Sequence, residues 1–199
     1  MTRPSLSSPG WFGKLPGAGD FAHRRMPHAL RTVWDDWLHD GLADLRARHQ
    51  GWVESYLTAP VWCFLLAPGV ADDSAWMGAM APSVDRIGRY YPIAVFAPLE
   101  GNPSDWWKAA QQVLLQALED DANAEHFERL IAAVFAHVAL DNQNTDTGPH
   151  LPGPGRSAWM AAWKANIEPT MEMEGLPVGP MFDRLFDMNT AAASVEGGA

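Results

Sequence analysis

The chain has 199 residues, of which 47% are hydrophobic and 19% charged, with a formal net charge of −10. That composition belongs to one folded domain rather than to a disordered chain. The acidic balance argues against a general affinity for nucleic acid or anionic lipid, both of which call for a basic face.

The single cysteine, Cys63, excludes an intramolecular disulfide. It lies between Trp62 and Phe64 and reads as a small buried hydrophobe rather than a reactive thiol. The first residues carry no apolar stretch of a secretory signal. No run approaches the ~18 apolar residues that a membrane helix needs. The expectation is a cytoplasmic protein with no membrane span. Ten tryptophans serve a core, and the surplus also suits a chain that buries surface against a partner.

In chain order, residues 1–9 are expected to be a disordered Ser/Pro tail. Trp11 to Leu15 reads as a short strand, ended by Pro16 and the loop Gly17-Ala18-Gly19. That loop is expected to turn a tight strand-to-helix corner, in which Asp20 can hydrogen-bond its own turn. Pro27 then opens a helix, with Leu30, Val33, Trp34, Trp37, Leu38, Leu42 and Leu45 at helical spacing.

From residue 52 to 100 the pattern changes to short apolar runs. Val61–Leu66, Ala75–Met80 and Tyr91–Ala97 read as three consecutive strands with antiparallel pairing. Asn102-Pro103 opens a second helix with Trp106, Trp107, Ala110, Val113, Leu114, Ala117 and Leu118 as its stripe. A third helix carries Phe127, Leu130, Ile131, Val134, Phe135 and Val138. Residues 141–155 read as a long loop and Ser157–Trp163 as a strand. Glu168–Glu174 reads as an irregular acidic segment, and Phe182–Phe186 as a short last element. The expected organisation is one domain over 10–188 followed by a disordered tail, 189–199.

The search for chemistry returns little. Gly13-Lys14 with Gly17 and Gly19 has the wrong order for a phosphate loop, whose glycines precede the lysine. The seven histidines form no H-x-x-x-H pair with a flanking acid, and no Cys/His spacing suits zinc. Ser83 stands outside any Gly-x-Ser-x-Gly elbow. No catalytic residue, metal or cofactor is therefore expected.

Two polar segments remain. One is Gly13–Phe21. The other is Pro82-Ser83-Val84-Asp85-Arg86-Ile87-Gly88-Arg89-Tyr90-Tyr91-Pro92. Lys14, Asp20, Asp85, Arg86, Arg89 and Tyr90 allow two readings. They brace the loops at one end of the sheet, with Asp85 paired to Arg86 or Arg89, or they form an exposed recognition edge. The two are compatible, because a braced loop is a better docking surface. An alternative is an anion site at Lys14, Arg86 and Arg89, belonging to a small-molecule or nucleotide sensor.

Several blocks resemble the TagF family of type VI secretion accessory proteins. They are Gly10–Pro16, Gly19-Asp20-Phe21, Trp34-Asp35-Asp36-Trp37-Leu38, Tyr56–Trp62 with Phe64, and Pro82–Pro92. Where the family pattern reads Trp-Arg-Phe, this chain has Trp62-Cys63-Phe64, one basic side chain fewer. The resemblance implies an α/β fold, a three-layer sandwich whose largely antiparallel central sheet has helices on both faces. It also implies a cytoplasmic, non-enzymatic negative regulator of type VI secretion, acting after translation through the forkhead-associated-domain scaffold protein of the apparatus. It supplies no catalytic residues to carry over.

Overall fold

The computed structural model describes residues 8–136, 138, 149–161 and 171–187. A seven-stranded sheet in the order β2-β1-β5-β4-β3-β6-β7 forms its centre, and every pairing in it is antiparallel. The strands are β1 (Gly10–Lys14), β2 (Phe21–Arg24), β3 (Trp62–Leu66), β4 (Trp76–Ala81), β5 (Ile93–Pro98), β6 (Arg156–Ala161) and β7 (Met171–Glu174). The helices are α1 (His28–Arg48), α2 (Trp52–Thr58), α3 (Ser104–Glu119), α4 (Ala124–Phe135) and α5 (Pro180–Arg184). The class is α/β.

Strand side chains alternate between two cores. Trp11, Cys63, Leu65, Met77, Ala79, Val95 and Met160 pack with Trp106, Val113 and Leu114 of α3 and Phe127 and Ile131 of α4. Their neighbours Phe12, Trp62, Phe64, Met80, Phe96 and Trp159 pack with Leu30, Trp34, Trp37 and Leu38 of α1 and Phe182 near the chain's end. Central strands buried on both sides need continuous apolar sequence, which is what β3, β4 and β5 carry.

The helices form for local reasons. The buried residues of α1, from Leu30 to Leu45, recur at the helical period. Pro27 precedes its first turn with φ −57°, close to the value its ring imposes. The α4 helix is capped by Asn123, whose side chain accepts from the His126 amide at 2.9 Å.

Three segments differ from the sequence expectation. The loop after β1 does not lead directly into α1. It turns a hairpin into β2, an edge strand in which Phe21, His23 and Arg24 are exposed. Trp52–Thr58 is a helix that buries only Tyr56 among its own residues, too short to show a period. Met171–Glu174 is a strand paired with β6 rather than an irregular segment. It lies at the edge, so one side stays with solvent and tolerates Glu172 and Glu174.

Ser157–Ala161 lies in β6 as expected, and Trp163 falls outside the described residues. Most of the loop from 141 and of both expected tails also falls outside them. Every described tryptophan except half-buried Trp52 is buried. The other described tryptophans therefore fill the two cores, and Trp52 alone among them stands part-way to the surface.

Candidate functional site

One end of the sheet carries two connections side by side: the β1–β2 turn, residues 15–20, and the β4–β5 loop, residues 82–92. The β4–β5 loop closes on itself like a small hairpin. Val84 and Tyr90 form a bridge, the Asp85 amide donates to the Arg89 carbonyl at 3.1 Å, and the Gly88 amide donates to the Asp85 carbonyl at 2.9 Å. Gly88 takes φ 83° at the tip, a conformation that glycine adopts without steric cost. The two connections are joined where the Arg86 amide donates to the Ala18 carbonyl at 3.0 Å. At Gly13, φ is 141° and a Cβ would stand 2.1 Å from the Pro92 carbonyl oxygen, so only glycine lets the backbones meet there.

Asp85 sits at the centre. Its Oδ2 accepts from Lys14 Nζ at 2.7 Å and from Arg89 Nε at 2.7 Å. Its Oδ1 accepts from the backbone amides of Arg89 at 2.9 Å and Ile87 at 3.1 Å. Lys14 is only 3% exposed and Asp85 4%, so neither ion is shared with bulk water. Burial works against the Asp85 charge. The Lys14 ammonium, the Arg89 amide and guanidinium and the Ile87 amide outweigh it and hold the carboxyl well below the usual range. Lys14 also lies 4.7 Å from the centre of the Phe21 ring, a cation–π contact across the hairpin. Arg89 reaches further and donates from Nη2 to the Gly19 carbonyl at 2.6 Å.

A second set of contacts holds the base of the loop. The Tyr56 hydroxyl donates to the Ser83 carbonyl and accepts from the Ser83 amide. Tyr91 donates to Asp35 Oδ1 at 2.7 Å. Burial raises the pKa of both phenols, and the Asp35 carboxylate adds to the rise at Tyr91, so both remain donors. On the outside, the Arg46 guanidinium donates to the Tyr90 carbonyl at 3.1 Å and lies 4.8 Å from the Trp52 ring centre. Trp52 in turn meets Tyr90 edge to face at 5.2 Å.

Of the six residues singled out in the sequence, Lys14, Asp85 and Arg89 form one ion cluster. Asp20 stays out of it: the carboxylate is exposed and accepts from the adjacent Phe21 amide at 2.8 Å. Arg86 contributes only its backbone and projects its side chain to solvent, with no ion-pair partner among the described residues. Tyr90 is half-buried against Trp52 and Tyr56. Tyr56, Asp35, Arg46 and Trp52 also hold the site. Their part in it arises from contacts far apart in sequence, for which no local pattern exists.

Elsewhere the chemistry is sparse. Cys63 is 1% exposed, and burial pushes its thiol up to about 12 despite a hydrogen bond from Gln111. It borders a small, mainly apolar cavity of about 90 Å³ shared with Trp107, Gln111 and Met160. Among the described residues, no group of three or more His, Cys, Asp or Glu side chains is placed to hold a metal. No helix among them is long and apolar enough to cross a membrane.

The family of this corner is decided by comparison. Residues 10–134 match the family model for the TagF N-terminal domain, described as type VI secretion system-associated. The chain belongs to the TagF family. Lys14, Asp85, Arg86 and Arg89 all lie inside the matched segment, whereas β6, β7 and α5 lie beyond it. The likeness of this TagF-family chain to a solved structure nevertheless extends beyond that segment. The crystal structure of PA0076 from Pseudomonas aeruginosa PAO1 superposes with a TM-score of 0.72 at 30% identity, covering 96% of each chain. No curated protein matches.

Proposed function

We propose that this TagF-family protein is a non-enzymatic negative regulator of type VI secretion, acting after translation in the cytoplasm by binding the forkhead-associated-domain scaffold protein of the apparatus. The family places the chain with type VI secretion. The observation that carries the step to a docking protein is the enclosed Asp85 carboxylate. Its side chain is fully enclosed. Its bonds to Lys14, Arg89 and the Ile87 amide fix a surface loop. A buried ion pair seldom stabilises more than apolar packing would, and its best-attested use is to specify one conformation. A loop held in one conformation loses little entropy when a partner binds.

The layering of α1 and α5 on one core and α3 and α4 on the other supports the three-layer sandwich reading of the fold. The rival reading, an anion sensor at Lys14, Arg86 and Arg89, has less support. The Lys14 ammonium is enclosed and committed to Asp85, leaving Arg86 and part of Arg89 for any ligand.

The test is to overproduce the chain in a bacterium with an active system, follow secretion, and capture the scaffold protein on the purified chain. Reduced secretion at unchanged levels of apparatus proteins, with capture at micromolar concentration, is expected. Failure of capture under those conditions contradicts the reading.

A further inference from the structure

Ile87 is 64% exposed at the tip of the hydrogen-bonded β4–β5 loop. A large aliphatic side chain in water gains nothing for the fold. Here its backbone is pinned from below by Asp85 Oδ1 and the turn is closed by the Gly88 amide. The loop thus presents an apolar knob without freedom to fold it away.

Two guanidinium groups flank that knob, with the exposed Asp20 carboxylate as the acid of the neighbouring turn. The Arg89 guanidinium donates to Gly19, and a Cβ on Gly19 would stand 3.6 Å from the Arg86 Nη2. Two guanidinium groups therefore lie beside the same turn residue. Asp85 is the carboxylate that neutralises Arg89, and Arg86 has none among the described residues. Across the loop base, Arg46 lies over Trp52, with Tyr90 against the same indole. Its bonds go to a carbonyl and a ring rather than to an acid. Trp, Tyr and Arg are the residue types that dominate binding energy at protein interfaces. On a chain with net charge −10, a surface with unneutralised arginines invites an anionic counterpart.

We propose that Arg86, Ile87, Tyr90, Trp52 and Arg46 form a docking surface for an acidic segment of a protein partner. Ile87 enters an apolar pocket, and aspartate or glutamate side chains at its rim pair with Arg86 and Arg46. This deepens the docking reading above, by stating the chemistry of the partner, and does not need that partner to be the forkhead-associated protein.

The test replaces Ile87 of the full chain with a photo-crosslinking benzoylphenylalanine in a bacterium carrying its own type VI system, with Val178, exposed on the β7–α5 connection, replaced likewise as a control. The cross-linked peptide is identified by mass spectrometry. The expected result is an adduct at position 87 to an Asp/Glu-rich segment. Arg86→Glu should lower its yield about tenfold, the scale of a lost interfacial charge pair, and a lysine substituted for the cross-linked acid should restore it. An adduct to such a segment of the forkhead-associated protein supports both readings. One to an acidic segment of another protein supports the surface and overturns the named partner. No adduct at position 87, an adduct to a neutral or basic segment, one lost on phosphatase treatment, or a yield unaffected by Arg86→Glu overturns the proposal. Arg86 is exposed and makes no side-chain bond on which folding depends. Thermal melting of Arg86→Glu should match the wild type and confirms that a lower yield is a binding effect.

Discussion

Tyr56 and Ser83 exchange hydrogen bonds in both directions: the phenol donates to the Ser83 carbonyl at 2.9 Å and accepts from the Ser83 amide at 3.0 Å. The α2 helix thereby holds the backbone at the point where the chain leaves β4 for the charged loop. Both residues are buried, so no water can replace the phenol. Tyr56→Phe should cost about 1–3 kcal/mol, because it strands a donor and an acceptor together. Urea unfolding monitored by tryptophan fluorescence measures this, and an unchanged midpoint would show that the loop base relaxes at no cost.

The two cations on Asp85 are not equivalent. Lys14→Met removes an enclosed partner and should destabilise the chain by about 3–5 kcal/mol, the usual cost of leaving a buried charge incompletely paired. Arg89→Ala should cost clearly less, since the Arg89 side chain is 47% exposed and water can occupy its place. Because both act through one carboxylate, the effects of the two single variants should not simply add in the double variant. Equal single effects would contradict the asymmetry.

Acid should release this clamp. Asp85 in the folded chain has a pKa below its ordinary value of 3.8, so between the two values the unfolded chain binds more protons and stability rises with pH. The contribution of Asp85 is therefore complete well above pH 3.8 and shrinks as pH falls through and below that value. Asp183, where the desolvation cost is outweighed by Arg48 and His49, and Glu128, where Arg25 and Trp11 do the same, act in the same direction. The stability gap between wild type and Asp85→Asn, followed by denaturant titration at several pH values, should be constant near neutrality and narrow in acid. A gap that widens in acid would reverse the sign argued here.

Cys63 should be inert in the native chain. Its thiol is buried and shifted up to about 12, so little thiolate exists at neutral pH. A chromogenic disulfide reagent at pH 8 should react only after denaturant is added. Fast labelling of the native chain would mean that the cavity beside Trp107 opens readily.

How far these features could be read from sequence depended on burial. The runs Val61–Leu66 and Tyr91–Ala97 marked β3 and β5 because strands covered on both sides admit only apolar residues. Phe21-Ala22-His23-Arg24 carried no such mark, since an edge strand needs cover on one side only. Met171-Glu172-Met173-Glu174 did alternate with period two, but its acidic composition masked the pattern. In the site, Asp85 and Arg89 lie a turn apart, and their pairing was open to local reasoning. The contact of Lys14 with Asp85 spans 71 positions. Whether Lys14 would reach that carboxylate depended on the face from which the β1–β2 hairpin approaches, which β1 sets through its pairing with β5.

The most direct test of the central claim, that the braced corner is where the protein docks, is hydrogen–deuterium exchange of the full chain with and without the forkhead-associated scaffold protein. Binding should slow exchange in segments 17–21, 46–56 and 83–91 and leave the turn around Val178 unchanged. Exchange in those three segments that stays the same on binding, with protection appearing only elsewhere, would contradict it.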